Sequence, residues 1–126
     1  MKLYKIISKI ESKDSKLVYK QILFYSKYCE LDTVYKTKNN KVHGCQSNTY
    51  IISNQVDGLY FFNGDSEGLI SKGLLGLIIH SINGLTKEEI QSIDFTFLTR
   101  LSSSINLSMS RSNGLYNMVN KIISIL

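Results

Sequence analysis

Apolar side chains recur at helical spacing at the start of the chain, at Leu3, Ile6, Ile7 and Ile10, and again over residues 15 to 28, at Leu17, Val18, Ile22 and Tyr25. Three-and-four spacing gathers them on one face, so two N-terminal helices are predicted. The polar, cationic and aperiodic run DTVYKTKNNK, residues 32 to 41, reads as a surface connection. After it the period changes to that of strands. NTYIIS, residues 48 to 53, and LYFF, residues 59 to 62, are rich in β-branched and aromatic residues and flank Asp57-Gly58, a hairpin turn signal, so the two should pair antiparallel.

GDSEG breaks this pattern, with Asp65 or Ser66 suited to cap a helix that begins near Glu67, runs to about Ile82 and covers the sheet. Gly73 and Gly76 lie inside that helix, where each costs about 1 kcal/mol relative to alanine, so close packing is the expected reason for them. Asn83-Gly84 marks a helix end, and Thr86 stands three residues before Glu89, the spacing of a capping box that starts a short helix. Asp94 is placed to cap another around FTFLTRL. The last helix begins near Ser110, with Leu115, Met118, Val119, Ile122, Ile123 and Leu126 as its buried stripe.

A length of 126 residues with 43% hydrophobic content suits one compact domain over residues 1–126. The longest nearly uncharged apolar stretch, residues 69 to 82, is interrupted by Ser71, Lys72 and His80 and falls short of the roughly 20 residues that cross a bilayer, so a soluble protein without membrane partners is expected. The N-terminus alternates lysines with aliphatics and runs into Glu11 and Asp14 without a cleavage site, which fits a cytoplasmic or organelle-encoded product whose cysteines need no bridge. Pro, Trp and Ala are absent while Lys, Ile, Asn, Ser and Tyr abound, a bias that AT-rich coding produces. A net charge of +5 carried mostly by lysine therefore has a codon-supply explanation beside a functional one. A basic nucleic-acid-binding module, suggested by the lysine-rich first third and its tyrosines, would bind with steep salt dependence and without regard to the cysteines.

Candidate chemistry centres on Cys45 in VHGCQS. Gly44 gives it a turn conformation closed to other residues and a strand follows, which puts the thiol at a loop tip. A free thiol with pKa near 8.5 supplies only a small thiolate fraction at neutral pH, and His43 or backbone donors around Gly44 and Gln46 could raise it. Read locally, Cys45 is either an inert cysteine or a reactive one, and its neighbours do not decide. Cys29, at the end of a predicted helix, reads as structural. Two cysteines and two histidines without close spacing do not make a metal site, and His80 in its apolar stretch reads as a buried or interfacial residue rather than the base of a Cys-His hydrolase. GDSEGLISKG lacks the Gly-Lys-Ser/Thr of a phosphate loop. Arg111 opposes the helix dipole at a helix start, so it either has a tertiary or partner-binding role or lies in solvent beside a capping Ser110.

Three separated segments, VHGCQS, GDSEGLISKGLLGLI and LSMSRSNGLYNMV, occur in the order and approximate spacing of the SufE family, and the resemblance covers about residues 38 to 123. It implies an α+β, SufE/IscU-like fold with a small antiparallel sheet of about three strands packed against several helices. It also implies a sulfur acceptor without a cofactor of its own. Such a protein takes sulfur as a persulfide on Cys45 from a SufS-like, pyridoxal-phosphate-dependent cysteine desulfurase, stimulates that enzyme, and passes sulfur to a SufBCD-like cluster scaffold. By the same resemblance His43, Gly44, Gln46 and Ser47 form the cysteine loop, Asp65 and Arg111 hold that loop or dock the desulfurase, and the helix from Glu67 to Ile82 and the hairpin line an apolar shelter for the thiol. Monomer and homodimer both suit this role, as does a second desulfurase or thiolation pathway as its setting. The chain departs from the family in having Met109 where proline is usual and Gly68 where alanine is usual.

Overall fold

The computed structural model describes residues 2–11, 14–96, 98, 100 and 109–126. Helix α1 (Lys2–Glu11) buries Leu3, Ile7 and Ile10, and helix α2 (Ser15–Phe24) buries Val18 and Ile22. Asp14 starts α2 by accepting from the backbone N–H of Leu17 at 3.1 Å. The helix is shorter than its apolar spacing predicts, because Tyr25–Tyr28 tighten into a 3-10 turn. Leu17 is exposed, while Val18 and Ile22 are buried and the half-buried Tyr25 packs against the core beside them. The connection over residues 32–41 carries two further 3-10 turns, Thr33–Tyr35 and Lys38–Asn40, with mostly exposed side chains.

Strands β1 (Thr49–Val56) and β2 (Leu59–Ser66) pair antiparallel, with Val56 opposite Leu59. The two residues between them adopt left-handed conformations, Asp57 at φ 52° and Gly58 at φ 80°, the twist a two-residue hairpin needs. β2 continues beyond the predicted strand because its alternation outlasts its apolar composition: Tyr60, Phe62, Gly64 and Ser66 all point inward. Asp65 and Ser66 are thus strand residues and do not cap the next helix. Helix α3 (Leu69–Ile82) begins after Gly68 with no side-chain cap.

Past α3 the side chain of Asn83 imitates a strand, accepting from the Phe62 N–H at 2.7 Å and donating to the Phe62 carbonyl at 3.1 Å. Strand β3 (Leu85–Thr86) then pairs with β2, giving a three-stranded antiparallel sheet in the order β1-β2-β3. Helix α4 (Lys87–Gln91) opens with the predicted capping box, in which Glu89 N–H donates to Thr86 Oγ1 at 3.1 Å and Thr86 N–H to Glu89 Oε1 at 3.0 Å. Asp94 accepts from the N–H and hydroxyl of Thr96, and the helix expected after it falls largely outside the described residues. Helix α5 (Met109–Ile125) buries Leu115, Met118, Val119 and Ile122, while Ile123 is exposed and Leu126 half-buried. No helix among the described residues is long and apolar enough to cross a membrane.

The α+β architecture is organised around α3, which is apolar nearly all round and touches α1, α2, α5 and β2. Its glycines set the spacing. A Cβ on Gly76 would fall inside contact distance of the Tyr25 carbonyl oxygen, and one on Gly73 would do the same to that of Ile22. Backbone lies directly on backbone there. Gly76→Ala is therefore expected to destabilise the fold by about 1–3 kcal/mol or more in urea unfolding, the range of overpacked cores, whereas truncation of the solvent-facing Leu69 to alanine changes stability little.

Candidate functional site at the Cys45 loop

Cys45 sits in a loop pinched at its base by a hydrogen bond from the Val42 N–H to the Thr49 carbonyl at 2.8 Å, next to a bridge between Lys41 and Tyr50. Gly44 is required twice over: its φ is +84°, and a Cβ there would stand 2.5 Å from Nδ2 of Asn117. On one side the loop meets a face of α5 formed by residues at i, i+3 and i+7. Gly114 offers its carbonyl to the Cys45 thiol at 3.5 Å, Asn117 abuts Gly44, and Lys121 Nζ donates to the Asn39 carbonyl at 3.0 Å.

On the other side the loop meets the junction of β2 and α3. Glu67 N–H donates to the Asn48 carbonyl at 3.1 Å, and Asn48 Nδ2 donates to both carboxylate oxygens of Glu67 at 3.3 Å. The Ser47 hydroxyl fills the space a Cβ on Gly68 would need. Beneath the loop, Thr49 donates to the Ser47 carbonyl at 3.0 Å and meets the Ser66 hydroxyl at 2.9 Å, both side chains buried. All three segments singled out in the sequence thus converge on the cysteine loop.

The structure separates the two thiols, neither of which is bridged. Cys45 is half-buried and packs against the core; burial pushes its pKa up, with the Thr49 hydroxyl opposing the rise. His43 lies exposed and takes no part in that balance. Cys29 is buried, donates to the Lys72 carbonyl at 3.4 Å, and is pushed up to about 12 by burial, with Asp65 adding to the rise and Lys72 opposing it. A thiol so placed is inert, as a structural cysteine should be.

Asp65 forms ion pairs with Lys36 Nζ at 2.8 Å and Lys72 Nζ at 3.3 Å and accepts from the Ser66 N–H at 2.9 Å. Burial raises its pKa, but these donors outweigh burial and hold the carboxyl below its ordinary value. It ties the connection before the loop to the first turn of α3 rather than touching the sulfur. Gln46 is exposed and Ser47 half-buried. Arg111 belongs to α5, one turn before Gly114, and its side chain lies outside the described residues.

Around Cys45, Gly114 of α5 faces the sulfur, which also packs against the buried core, and Gly68, just before α3, meets the loop at Ser47. A separate groove of about 520 Å³, between α5 and residues 93–96 and 98, is lined by Leu115, Tyr116, Val119 and Ile123 and does not include Cys45. His80 stacks on Tyr28 at 4.2 Å, and burial, then Lys2 and Lys27, lower its pKa, in keeping with an interfacial histidine. Among the described residues no group of three or more His, Cys, Asp and Glu side chains is arranged to hold a metal ion. Sequence reasoning missed Thr49, Lys36 and Asn117. Thr49 and Asn117 carried a faint signal, each being a polar residue at a position whose neighbours two or three away turn inward.

These features define a class, an α+β domain that presents one unbridged, half-sheltered thiol on a loop anchored from both flanks. The chain belongs to the SufE family, described as an Fe-S metabolism associated domain, which matches residues 4–126. It is 39% identical over 105 residues to an uncharacterized SufE-like protein of Synechocystis sp., covering 82% of this chain and 66% of that one. It is 34% identical over 121 residues to SufE-like protein 1, chloroplastic/mitochondrial, of Arabidopsis thaliana, covering 94% and 33%. With the cysteine desulfuration protein SufE of Plasmodium falciparum it shares 31% over 129 residues, covering 96% and 52%. The chain therefore spans between 33% and 66% of the length of these relatives. The solution structure of a hypothetical protein from Thermus thermophilus, only 16% identical, matches with a TM-score of 0.81 over 98% of this chain and 91% of that one, which shows the same fold.

Two outcomes follow from the titrating groups. Alkylation of the native protein should modify Cys45 and leave Cys29 untouched until the chain is unfolded, as peptide mass mapping with and without denaturant will read. Because the Asp65 carboxyl is depressed in the folded state, its stabilisation is present above the ordinary carboxylate range and lost as pH falls through its folded value. Asp65→Asn should thus lower stability to urea at neutral pH, with the difference from wild type closing in strong acid.

Proposed function

We propose that the protein is a sulfur carrier of iron–sulfur cluster assembly: Cys45 accepts sulfur from a cysteine desulfurase, holds it as a persulfide and passes it to a cluster scaffold. Removal of its product stimulates the desulfurase. The observation that carries this reading is the placement of Cys45, an unbridged, half-buried thiol on a loop fixed at its base, in a chain of the SufE family. A relative's name, cysteine desulfuration protein SufE, points the same way.

In the exchange the Cys45 thiolate attacks the outer sulfur of the desulfurase persulfide. A bond forms between Cys45 Sγ and that sulfur, the donor's sulfur–sulfur bond breaks, and the donor cysteine leaves as a thiolate, with no net oxidation. Pyridoxal phosphate, which frees the sulfur from cysteine, belongs to the desulfurase, and this chain brings no cofactor. Transfer to the acceptor repeats the same exchange.

The resting loop suits such a carrier. Burial keeps Cys45 in the thiol form, which is slow towards stray disulfides and oxidants, so transfer requires the tip to enter the partner's site. Gly44, with Ser47 and the exposed His43 and Gln46, gives a tip that can move, while Asp65, through Lys36 and Lys72, holds the frame behind it. Arg111 is assigned to loop holding or to docking.

Intact-protein mass spectrometry after incubation with a cysteine desulfurase and free cysteine tests the reading. One reductant-labile sulfur is expected on wild type and on Cys29→Ser, and none on Cys45→Ser. A sulfur that survives loss of Cys45 would refute the assignment.

A further inference from the structure

We propose that the outer face of α1 and α2 is a docking surface for an anionic lipid bilayer, on which the protein lies without crossing it. The charge of the chain is distributed unevenly. Residues 1–28 hold seven lysines against Glu11 and Asp14, a net charge of +5, while residues 29–126 hold eight lysines and arginines against eight carboxylates. The entire net charge of the protein therefore lies in its first two helices and the turn that follows. Codon supply acts along the whole chain and does not explain why one end carries the excess. Such an asymmetry points to a polyanionic partner.

Folding turns this excess outward. In α1 the buried Leu3, Ile7 and Ile10 leave Lys2, Lys5 and Lys9 as an exposed row on the opposite side. In α2 the buried Val18 and Ile22 leave Lys16 and Lys20 outside, among Leu17, Leu23 and Phe24, which are 43%, 39% and 52% exposed. The two helices touch each other and both touch α3, so their outer rows adjoin. α2 is thus apolar on two faces, one against the core and one open, and lysines are threaded through the open one. Lysines reach lipid phosphates, while leucine and phenylalanine enter the boundary between headgroups and acyl chains. A nucleic acid would use the charge but not the leucines, and it would need free aromatic faces for stacking. Here Lys27 Nζ sits 4.0 Å over the Phe24 ring, and Tyr28 stacks on His80 at 4.2 Å. The expected lack of membrane partners follows from the missing span alone, and lying on a surface requires none. The cysteine loop meets α5 and the junction of β2 and α3, so a bilayer on α1 and α2 does not occupy the thiol.

Flotation of the full chain with phosphatidylcholine vesicles, with and without phosphatidylserine, tests this. Binding should be several-fold greater with phosphatidylserine and should fall as salt rises. Lys16→Glu combined with Lys20→Glu should abolish it. Lys38→Glu combined with Lys87→Glu, an equal loss of net charge at exposed positions elsewhere, should leave most of it. Leu17→Ser combined with Phe24→Ser should weaken vesicle binding several-fold, with circular dichroism confirming a folded protein, since both side chains are exposed. In wild type, spin-labelled lipid in anionic bicelles should broaden the amide resonances of α2 before those of the β1–β2 hairpin, a reading that needs no variant. The proposal is overturned if phosphatidylserine makes no difference, if the distant pair is as damaging as Lys16 and Lys20, or if the hairpin broadens first. Single-stranded RNA that binds through Lys16 and Lys20, with vesicles left unbound, would also overturn it and assign the face to nucleic acid. No desulfurase is present in these assays, so failure of persulfide transfer would sink the carrier reading and leave this result standing.

Discussion

The contact on which the rest of the structure depends is the bare approach of α3 to the end of α2, where Gly73 and Gly76 meet the carbonyls of Ile22 and Tyr25. A helix seated that deeply reaches the sheet on its other side, where Leu75 fills the space left by Gly64 in β2. Its first turn is thereby placed at a defined height above the strands. Lys72 of that turn reaches Asp65, its carbonyl receives the Cys29 thiol, and Gly68 receives Ser47 of the cysteine loop. Packing far from the thiol thus determines one wall of the frame around it.

The loop is held unevenly. Its base and its descending limb make backbone bonds at Val42, Asn48 and Glu67, reinforced by the buried pair of Thr49 and Ser66. The hydrogen bond described for the sulfur itself is a long one, to the Gly114 carbonyl at 3.5 Å, beside its packing against the core. Among the described residues, the backbone bonds that fix the loop lie at its base, where it must not move. The same asymmetry explains why Cys29, packed under the Asp65 ion pairs, has no comparable freedom.

Much of this was legible in the sequence, for identifiable reasons. Asp57-Gly58 announced a turn that its backbone angles realise, Thr86 and Glu89 announced a box that both hydrogen bonds complete, and the helical glycines announced a close contact. Reading ended too early in β2, since Gly64 and Ser66 point inward without being apolar, and this made Asp65 look like a helix cap. Leu17 and Ile123 were placed inside on spacing alone, although spacing does not tell which edge of an apolar stripe the neighbours cover. Cys45 stood out through Gly44, and the family motifs named Asp65 and Arg111. Thr49 was hidden because a buried threonine at the start of a strand reads as β-propensity, and its role exists only once Ser66 and the loop fold over it.

The pinch at the base of the loop also sets a length. Cys45 is three residues from Val42 and four from Thr49, and those two are joined by a 2.8 Å hydrogen bond. A fully extended chain advances about 3.3–3.6 Å per residue, so with the base intact the Cys45 Cα lies no more than about 11 Å from it and the side chain carries the sulfur roughly 3 Å farther. A donor sulfur buried deeper than that in its own protein is out of range unless the donor extends a segment of its own. The geometry of this one bond therefore limits the domain to shallow sites or to partners that reach halfway.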